Sequence, residues 1–526
     1  MRSLAIGIRA WHIHFELLLV LVFFHVAFVF LLQFIVVMHE DLFSLAGLPY
    51  FMMDIIGLFK GSPRVSAKMV VVGDAMIDEY YQVKANRVSP EFPIPVLKSE
   101  DMKPACLSPG GAANVVMQLR HFNADIRLVA FLDDYARRIC EMAGINTKYC
   151  VSLDGAEHVP VKKRLYQGNF PLCRWDVEQE CYGISDIFKA RCSLKSQFLD
   201  AVQGRDVVVY SDYDKGVFNN NPWDIPENAD YISIVDPKKG TPLLRWKGCQ
   251  IFKPNAEEAY SLSGLKDWKE QCRFFQKELG CKATVITCGG SGVVGMFDDN
   301  FFEYHPKKHV KPESVVGAGD CFVAILGMAL AKNYHLDEAV ALAFEAGAVY
   351  VQKKHNQPVS TYDLHRHMDP LGAKFVSAEF LAEVAKRERL VFTNGVFDGF
   401  GLHQGHIATL RFAKSQGDKL VVAVNADRSA REIKGEGRPV STLHDRMVAI
   451  AALQCVDFVV SFDEPSVLDL VRQICPALLV KGGDYERVED VVGHEIAPVV
   501  IAPHVVGVST TEILNNHGNN WKEDAI

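Results

Sequence analysis

The chain has thirteen cysteines, yet no two stand in a CxxC pair and none clusters with histidine at zinc-ligand spacing. That excludes a zinc ribbon or finger. The cysteines run irregularly from Cys106 to Cys475 in a chain of 526 residues, which is unlike the short, regular framework of a secreted disulfide protein. Free, mostly buried thiols in a reducing compartment are expected instead. Positive charge is also in short supply. Lys and Arg number 56 against 64 Asp and Glu, and no basic stripe interleaves with aromatics. This excludes nucleic acid as the expected partner. Short-period repeats and low-complexity tracts are missing too, so neither a solenoid nor a compositional linker is expected. What remains is a long chain, 49% hydrophobic, with material for more than one large core.

The most informative string is Val315-Val316-Gly317-Ala318-Gly319-Asp320, followed by an apolar run over 322–330. It reads as a glycine-rich turn opening into a helix with one carboxylate on the first turn. Glycines let backbone approach a phosphate, and the unpaired N–H groups of a helix start favour an anion. A carboxylate there is placed to take the proton of a hydroxyl that attacks the phosphate. The combination points to phosphoryl transfer to an alcohol.

The first sixty residues differ from the rest. Residues 17–38 are almost unbroken Leu, Val, Phe and Ile, long enough to span a bilayer. Arg2 and Arg9 precede the run and Glu40 and Asp41 follow it, so charge alone would leave the N-terminus inside and the rest outside, away from ATP. No small-residue cleavage site follows it. Two readings stand: an inner-membrane tether for catalytic domains that work in the cytoplasm, or residues upstream of a true start at Met52 or Met53.

From Met69 the pattern alternates strands and helices. Met69–Val72, Val207–Tyr210, 232–235 and 284–286 read as short buried strands, with helical periodicity over 112–122 and 339–351. Strands with helical crossovers predict a mainly parallel sheet covered on both faces, with ligands at the carboxyl ends of its strands. Asp74, Asp212, Asp236 and Thr287 occupy such ends. A second series begins at Leu390, with strands over 390–395, 420–424, 458–460 and 478–480. The segment between is polar, so the expected division is an apolar segment at 1–60, a first domain at 69–362, a linker with one helix at 363–389, and a second domain at 390–518.

Residues 69–362 resemble the ribokinase-like family of sugar kinases. The resemblance rests on Pro109-Gly110-Gly111-Ala112-Ala113-Asn114-Val115, on Gly317–Asp320, and on Asn255-Ala256-Glu257-Glu258, which matches the family's Asn-x-x-Glu element. It implies a three-layer α/β/α domain with a small β lid. It further implies that Asp320 is the base, that the N–H groups of Ala318, Gly319 and Asp320 form an anion hole beside Gly317, and that Thr287 joins the ATP site. Gly110, Gly111, Asn114 and Asp74 are then expected at the sugar, and Glu258 is expected to act through Mg²⁺ near the phosphates. A plain helix cap with an acidic first turn is the other reading of Asn255–Glu258. Asn86-Arg87-Val88-Ser89-Pro90-Glu91, Leu172-Cys173-Arg174-Trp175-Asp176, Ser211-Asp212-Tyr213-Asp214-Lys215-Gly216 and Val235-Asp236-Pro237-Lys238 resemble the heptose 7-phosphate kinase branch. A phosphorylated sugar needs cations, and Arg87, Arg174, Lys215 and Lys238 are the candidates; sequence does not choose among them. One departure is Ser314-Val315-Val316 where the family has Asp-x-Thr.

Residues 390–514 resemble the nucleotidyltransferase superfamily. The strings are Thr393-Asn394-Gly395-Val396-Phe397-Asp398, His403-Gln404-Gly405-His406, Gly437-Arg438-Pro439-Val440, Lys481-Gly482-Gly483-Asp484 and Ser509-Thr510-Thr511. The resemblance implies a Rossmann-like domain whose ATP site draws on Asn394, Gly395, Phe397, Asp398, Arg438, Gly482, Asp484, Ser509, Thr510 and Thr511. Two imidazoles at a helix start, His403 and His406, can hold triphosphate oxygens, while the acceptor phosphate attacks directly. A metal pair is the weaker reading, since no third ligand stands nearby. Four residues, 399–402, separate Asp398 from His403 where the superfamily has two.

The order of the two blocks resembles the bifunctional heptose 7-phosphate kinase/heptose 1-phosphate adenylyltransferases of Gram-negative bacteria. This implies heptose phosphates and ATP as substrates, Mg²⁺ as cofactor, and a homo-oligomer formed through kinase domains, on the route to the ADP-heptose of lipopolysaccharide core. Two alternatives remain at this point: the same pair of reactions on another sugar phosphate, or an active kinase whose second domain binds nucleotide without turning it over.

Overall fold

The computed structural model describes residues 66–503 except 100, 102, 154–157, 179–183, 220–224, 227–228, 307, 399–401, 484 and 486; for 184–189 it describes backbone only. The apolar run at 17–38, Asp484 and Ser509–Thr511 therefore lie outside the described residues. Among the described residues no helix is long and apolar enough to cross a membrane.

The first domain begins with β1 (Ala67–Gly73), β2 (Ala75–Val88), β3 (Pro95–Ser99), β4 (Cys106–Gly111) and α1 (Ala112–Gln118). There follow β5 (Ala124–Val129), β6 (Phe131–Leu132), α2 (Asp134–Met142), β7 (Val151–Ser152), β8 (Val161–Gln167), β9 (Phe170–Val177) and α3 (Ile184–Ala201). The second half holds β10 (Val207–Ser211), β11 (Ile232–Asp236), β12 (Ile251–Phe252), α4 (Ala256–Ser263), α5 (Trp268–Leu279), β13 (Ala283–Thr287), β14 (Val293–Phe297), β15 (Asn300–Tyr304), α6 (Ala318–Ala331) and α7 (Leu336–Tyr350). The helix expected over 112–122 is shorter, because the chain turns after Gln118.

The main sheet has the order β15-β14-β13-β12-β11-β10-β1-β5. All its pairs are parallel except those of β14 with β13 and β15. Its central strands are unbroken valine-rich runs, as strands covered on both faces must be. From β1 the chain goes to β5 on one side and to β10 on the other, so the topological switch lies between β1 and β10. There the two backbones nearly touch: a Cβ on Gly73 would stand 2.0 Å from the Ser211 carbonyl oxygen, which accepts the Asp74 N–H at 3.2 Å. Only glycine fits this approach. A second sheet, β3-β2-β8-β9 with β4 on β2, forms the lid.

Helix α6 fixes the site. Every residue from Asp320 to Ala331 is buried, as expected of a helix apolar all round. A Cβ on Gly327 would meet Met69 Cε at 2.6 Å, so the helix lies tight on the sheet. Its N-terminus emerges at the sheet's carboxyl edge.

The chain continues through α8 (Thr361–Met368) and α9 (Ala378–Ala385). The expected boundary at 362 falls inside α8, which is tied to α7 by His367–Glu345 and to the turn after α7 by Lys353–Asp363, both at 2.7 Å. The second domain comprises β16 (Leu390–Gly395), α10 (Gln404–Ser415), β17 (Lys419–Asn425), α11 (Asp427–Lys434), α12 (Leu443–Ala451), β18 (Phe458–Phe462), α13 (Leu468–Ile474), β19 (Leu478–Lys481) and β20 (Val499–Ile501). Its sheet, β18-β17-β16-β19-β20, is wholly parallel with the switch between β16 and β19. Leu381 of α9 is part of this domain's core, where Phe380 packs edge-on against Phe458 at 5.7 Å.

Candidate active sites

A cavity of about 600 Å³ opens at the carboxyl edge of the first sheet, lined among others by Tyr213, Lys238, Lys253, Glu258 and Gly317–Gly319. Asp320 follows the lining residue Gly319, in the first turn of α6 and 4% exposed. One carboxylate oxygen accepts Asn114 Nδ2 at 2.6 Å and the other accepts the Tyr213 hydroxyl. Burial pushes the Asp320 carboxyl up to about 7; the Tyr213 and Asn114 hydrogen bonds pull it down, and Asp236 and Asp78 push it further up.

Gly317 caps α6 with φ 80°, and a Cβ there would lie 2.3 Å from the Tyr350 hydroxyl, so this position requires glycine twice over. Gly319 differs, since a Cβ there would meet nothing within 4 Å. Its backbone faces open space, as an approaching phosphate needs. The Ala318 N–H donates to the Val315 carbonyl at 3.3 Å. The expected hole therefore narrows to the N–H groups of Gly319 and Asp320, which by position have no acceptor inside the helix.

Asn255 and Glu258 line the cavity, while Ala256 and Glu257 do not. Glu257 pairs with Lys239 at the surface. Asn255 and Glu258 also form a complete capping box, so both readings of this string hold at once. Glu258 is pushed up by burial and then by the Asp236 carboxylate. Two carboxylates on one cavity wall, the one raised by the other, fit a hard divalent cation. Among the described residues no group of three or more potential metal ligands occurs, so most of the ligand shell would come from phosphate and water. Asp236 also holds Lys253 Nζ at 2.9 Å, a lysine only 2% exposed. Thr287 ends β13 on the cavity wall.

Other expected sugar contacts are placed differently. The Asp74 carboxylate accepts the N–H groups of Tyr213, Lys215 and Val217 at 2.9, 3.1 and 3.0 Å; it anchors the loop after β10 and does not face a ligand. Around Gly110 and Gly111 the crowding atoms are Met76, Asp78 and the Asp74 carbonyl, so these glycines serve packing under the site. Asn114 turns to Asp320. Arg174 forms a two-pronged pair with Asp176, Lys215 pairs with Glu178 at 2.6 Å, and Arg87 is exposed on the lid. Of the four cations only Lys238 lines the cavity. The residue missed is Asp78, 3% exposed, which accepts Arg164 at 2.8 and 3.0 Å and Asn356 at 2.9 Å. Its signal was a carboxylate inside the buried half of β2, one helical turn's worth of sequence past the aspartate chosen.

In the second domain the site lies at the β16/β19 switch. Lys481 Nζ reaches the Asn394 carbonyl at 3.4 Å, joining the two strand ends just before Gly395 and Gly482. His403 caps α10, its Nδ1 accepting the His406 N–H at 3.4 Å. The two imidazoles stack at 3.7 Å, and Phe397, at φ 51°, packs edge-on against His406. With its Nδ1 used in the cap, His403 is not half of a converging metal pair. Burial lowers the His403 imidazole from its usual value, which favours its neutral form. Asp398 accepts the Val440 N–H at 2.7 Å and pairs with Arg438. These two expected ATP contacts therefore hold one another and fix the 438–440 strap. Arg446, also missed, is 3% exposed and binds the Val396 carbonyl at 2.7 Å behind the site.

Residues 222–361 match the pfkB family carbohydrate kinase model, and residues 392–516 match the cytidylyltransferase-like model. The bifunctional protein HldE of Histophilus somni is 32% identical over 470 residues, covering 85% of this chain and 96% of that protein. That of Erwinia tasmaniensis is 34% identical over 471 residues, with the same coverage of each. The chain belongs to the HldE family. A structure of phosphofructokinase-2 from Escherichia coli covers 59% of the chain and all of its own, at 16% identity and a TM-score of 0.48. Like its HldE relatives the chain is an enzyme with two activities, a sugar-phosphate kinase followed by a nucleotidyltransferase.

Two outcomes are expected of the kinase half. A base must be deprotonated to act, so kcat/KM for phosphorylation should fall roughly tenfold per unit as pH drops below about 7. A pH profile whose acid limb lies near 4 would contradict this. Gly319→Ala should leave the thermal midpoint unchanged, because no protein atom opposes the methyl, yet slow phosphorylation about tenfold or more by blocking the nucleotide's approach. Full activity in that variant would place the phosphate elsewhere.

Proposed function

We propose that the two domains carry two steps toward ADP-heptose, with the first centred on Asp320. The observation that carries this reading is a buried carboxylate that follows the open, cavity-lining Gly319 directly in the first turn of α6. Asp320 takes the proton of the anomeric hydroxyl of D-glycero-D-manno-heptose 7-phosphate. That oxygen attacks the γ-phosphorus of ATP, the bond from phosphorus to the bridging oxygen breaks, and ADP leaves. The N–H groups of Gly319 and Asp320, with Lys253 on the cavity wall, stabilise the phosphoryl oxygens. Lys238 is the cation best placed for a sugar phosphate, since Arg174 and Lys215 are matched by acids. Glu258 and Asp236 would hold Mg²⁺, which supplies positive charge to the phosphates when bound.

A separate phosphatase must remove the 7-phosphate. In the second domain a heptose 1-phosphate oxygen then attacks the α-phosphorus of ATP and pyrophosphate leaves. No protein nucleophile is needed; His403, His406 and Lys481 hold the triphosphate while the α10 N-terminus faces it. The reactions use ATP, which places both domains in the cytoplasm.

The chain also forms a homo-oligomer through its kinase domains. Support comes from the lid, where Phe92, Ile94, Phe170 and Trp175 are 57–69% exposed. Sedimentation of Trp175→Glu should show a lighter species than the parent; identical profiles would exclude the lid as the contact.

The two-site reading has a direct test. Asp320→Asn should abolish sugar phosphorylation, by about 10³-fold or more, and spare adenylyl transfer from supplied heptose 1-phosphate. His406→Ala should do the reverse. If either change removed both activities, independent sites would be ruled out.

A further inference from the structure

Tyr213 has no role in the reactions as drawn, yet it holds the central position in the kinase site. It sits on the loop after β10, at the topological switch, where Asp74 fixes its own N–H and those of Lys215 and Val217. Its side chain lines the cavity. Its ring is flanked by two lysines, Lys162 Nζ at 5.9 Å and Lys238 Nζ at 6.0 Å from the centroid. Its hydroxyl donates to one oxygen of Asp320, and Asn114 occupies the other. The oxygen that a sugar hydroxyl must reach is therefore covered by a phenol.

We propose that Tyr213 is a latch on the kinase base: its hydroxyl occupies Asp320 Oδ1 while the sugar is absent, keeps water from that oxygen, and yields it to the anomeric hydroxyl. This rests on the reading of Asp320 as the base. Kinases of this geometry face a competing reaction. Water can give its proton to Asp320 and attack the γ-phosphorus, so that the phosphorus–oxygen bond to ADP breaks and ATP is lost as ADP and phosphate. A donor fastened on the base removes the acceptor that water needs. The sugar displaces it because the sugar's other hydroxyls and its phosphate bring binding energy that water lacks.

The latch also sets the charge on Asp320. A hydrogen bond to a carboxylate favours the ionised form, so Tyr213 and Asn114 oppose the burial of Asp320. The phenol does not itself relay the proton, since burial and the Asp320 charge push it well above the usual phenol range. Other charges face the carboxylate from further away. They are Asp78 of β2, held by Arg164 of β8, Asp236 of β11, held by Lys253, and Lys162 and Lys238 beyond the Tyr213 ring. Tyr350 of α7 and Cys321 stand beside it uncharged at neutral pH. Among the described residues, Tyr213 and Asn114 are the ones that donate side-chain hydrogen bonds to the carboxylate. Tyr213 is thus a positioning residue whose hydroxyl, apart from its ring, has a measurable effect.

The full-length Tyr213→Phe enzyme separates the two. Without sugar, its ATP hydrolysis should rise about tenfold over the parent, and the acid limb of its phosphorylation profile should move up by about one pH unit. Calorimetry should find heptose 7-phosphate bound as tightly or more tightly, because nothing must be displaced. Tyr213→Leu, which removes ring and hydroxyl together, should show the same rise in hydrolysis. Unchanged hydrolysis with an unmoved acid limb would overturn the latch. So would a uniform loss at every pH with weaker sugar binding, the result of a merely loosened loop. Asp320→Asn measured alongside keeps the two readings apart: phosphorylation surviving in it overturns the base, whereas an inactive Asp320→Asn beside a parent-like Tyr213→Phe overturns the latch alone.

Discussion

The kinase half depends on the burial of one helix. From Cys321 to Ala331 every residue of α6 is buried, and Gly327 lets the helix settle against Met69, Val207 and Val209 of the central strands. Apolar burial of that extent leaves no freedom to slide or rotate. The first turn, which is glycine-rich and therefore locally undetermined, is carried to one place at the sheet's carboxyl edge. Asp320 is desolvated because the helix is, and its affinity for protons follows from packing before any ligand arrives. A position chosen by hydrophobic surface thus sets the proton affinity of the carboxylate.

The same principle of placement recurs in the second domain with different chemistry. Both sheets reverse their winding direction once, between β1 and β10 and between β16 and β19, and both sites sit where the loops after those strands part. In each, a polar residue ties the diverging segments together: Asp74 binds the loop after β10, and Lys481 binds the end of β16. In the kinase the helix start offers a carboxylate and acts on a hydroxyl. In the transferase it offers two stacked imidazoles, and the attacking oxygen already belongs to a phosphate, so no base is called for.

What sequence revealed and what it hid divide along the range of the interaction. Valine runs, the Gly317–Asp320 turn and the His403–His406 pair are local signals, and each stands at a strand or helix end of the kind its pattern demands. The choice between Asp74 and Asp78 was not local. Both follow β1 within a few residues, and only the arrival of the 213–217 backbone at one and of Arg164 at the other separates their roles. Likewise Arg174 and Lys238 are equivalent as isolated cations. Arg174 is neutralised by an aspartate two residues away on its own strand, whereas Lys238 has the Tyr213 ring as its neighbour. Gly110 and Gly111 read as an opening for sugar because glycine signals close approach without saying to what; the approach is to Met76, Asp78 and Asp74.

The charge balance of the kinase cavity sets what must enter with the nucleotide. Its lining has Asp212, Asp236 and Glu258 against Lys238, Lys253 and Lys308, and Asp320 follows the lining residue Gly319. Lys253 is already matched by Asp236. Asp212 is pushed up to about 7 by burial and by Asp74, and Asp320 is pushed to about the same value, chiefly by burial, so both acids already resist carrying charge here. A nucleoside triphosphate adds several negative charges more. Entering alone, it would drive Asp320 toward its protonated form and disable the base just as the phosphate arrived. A divalent cation, which Glu258 and Asp236 would hold, would supply the compensating charge and favour the ionised form of Asp320. Under the proposed reaction, a divalent cation here would serve to keep Asp320 charged as well as to neutralise the transferred phosphoryl group.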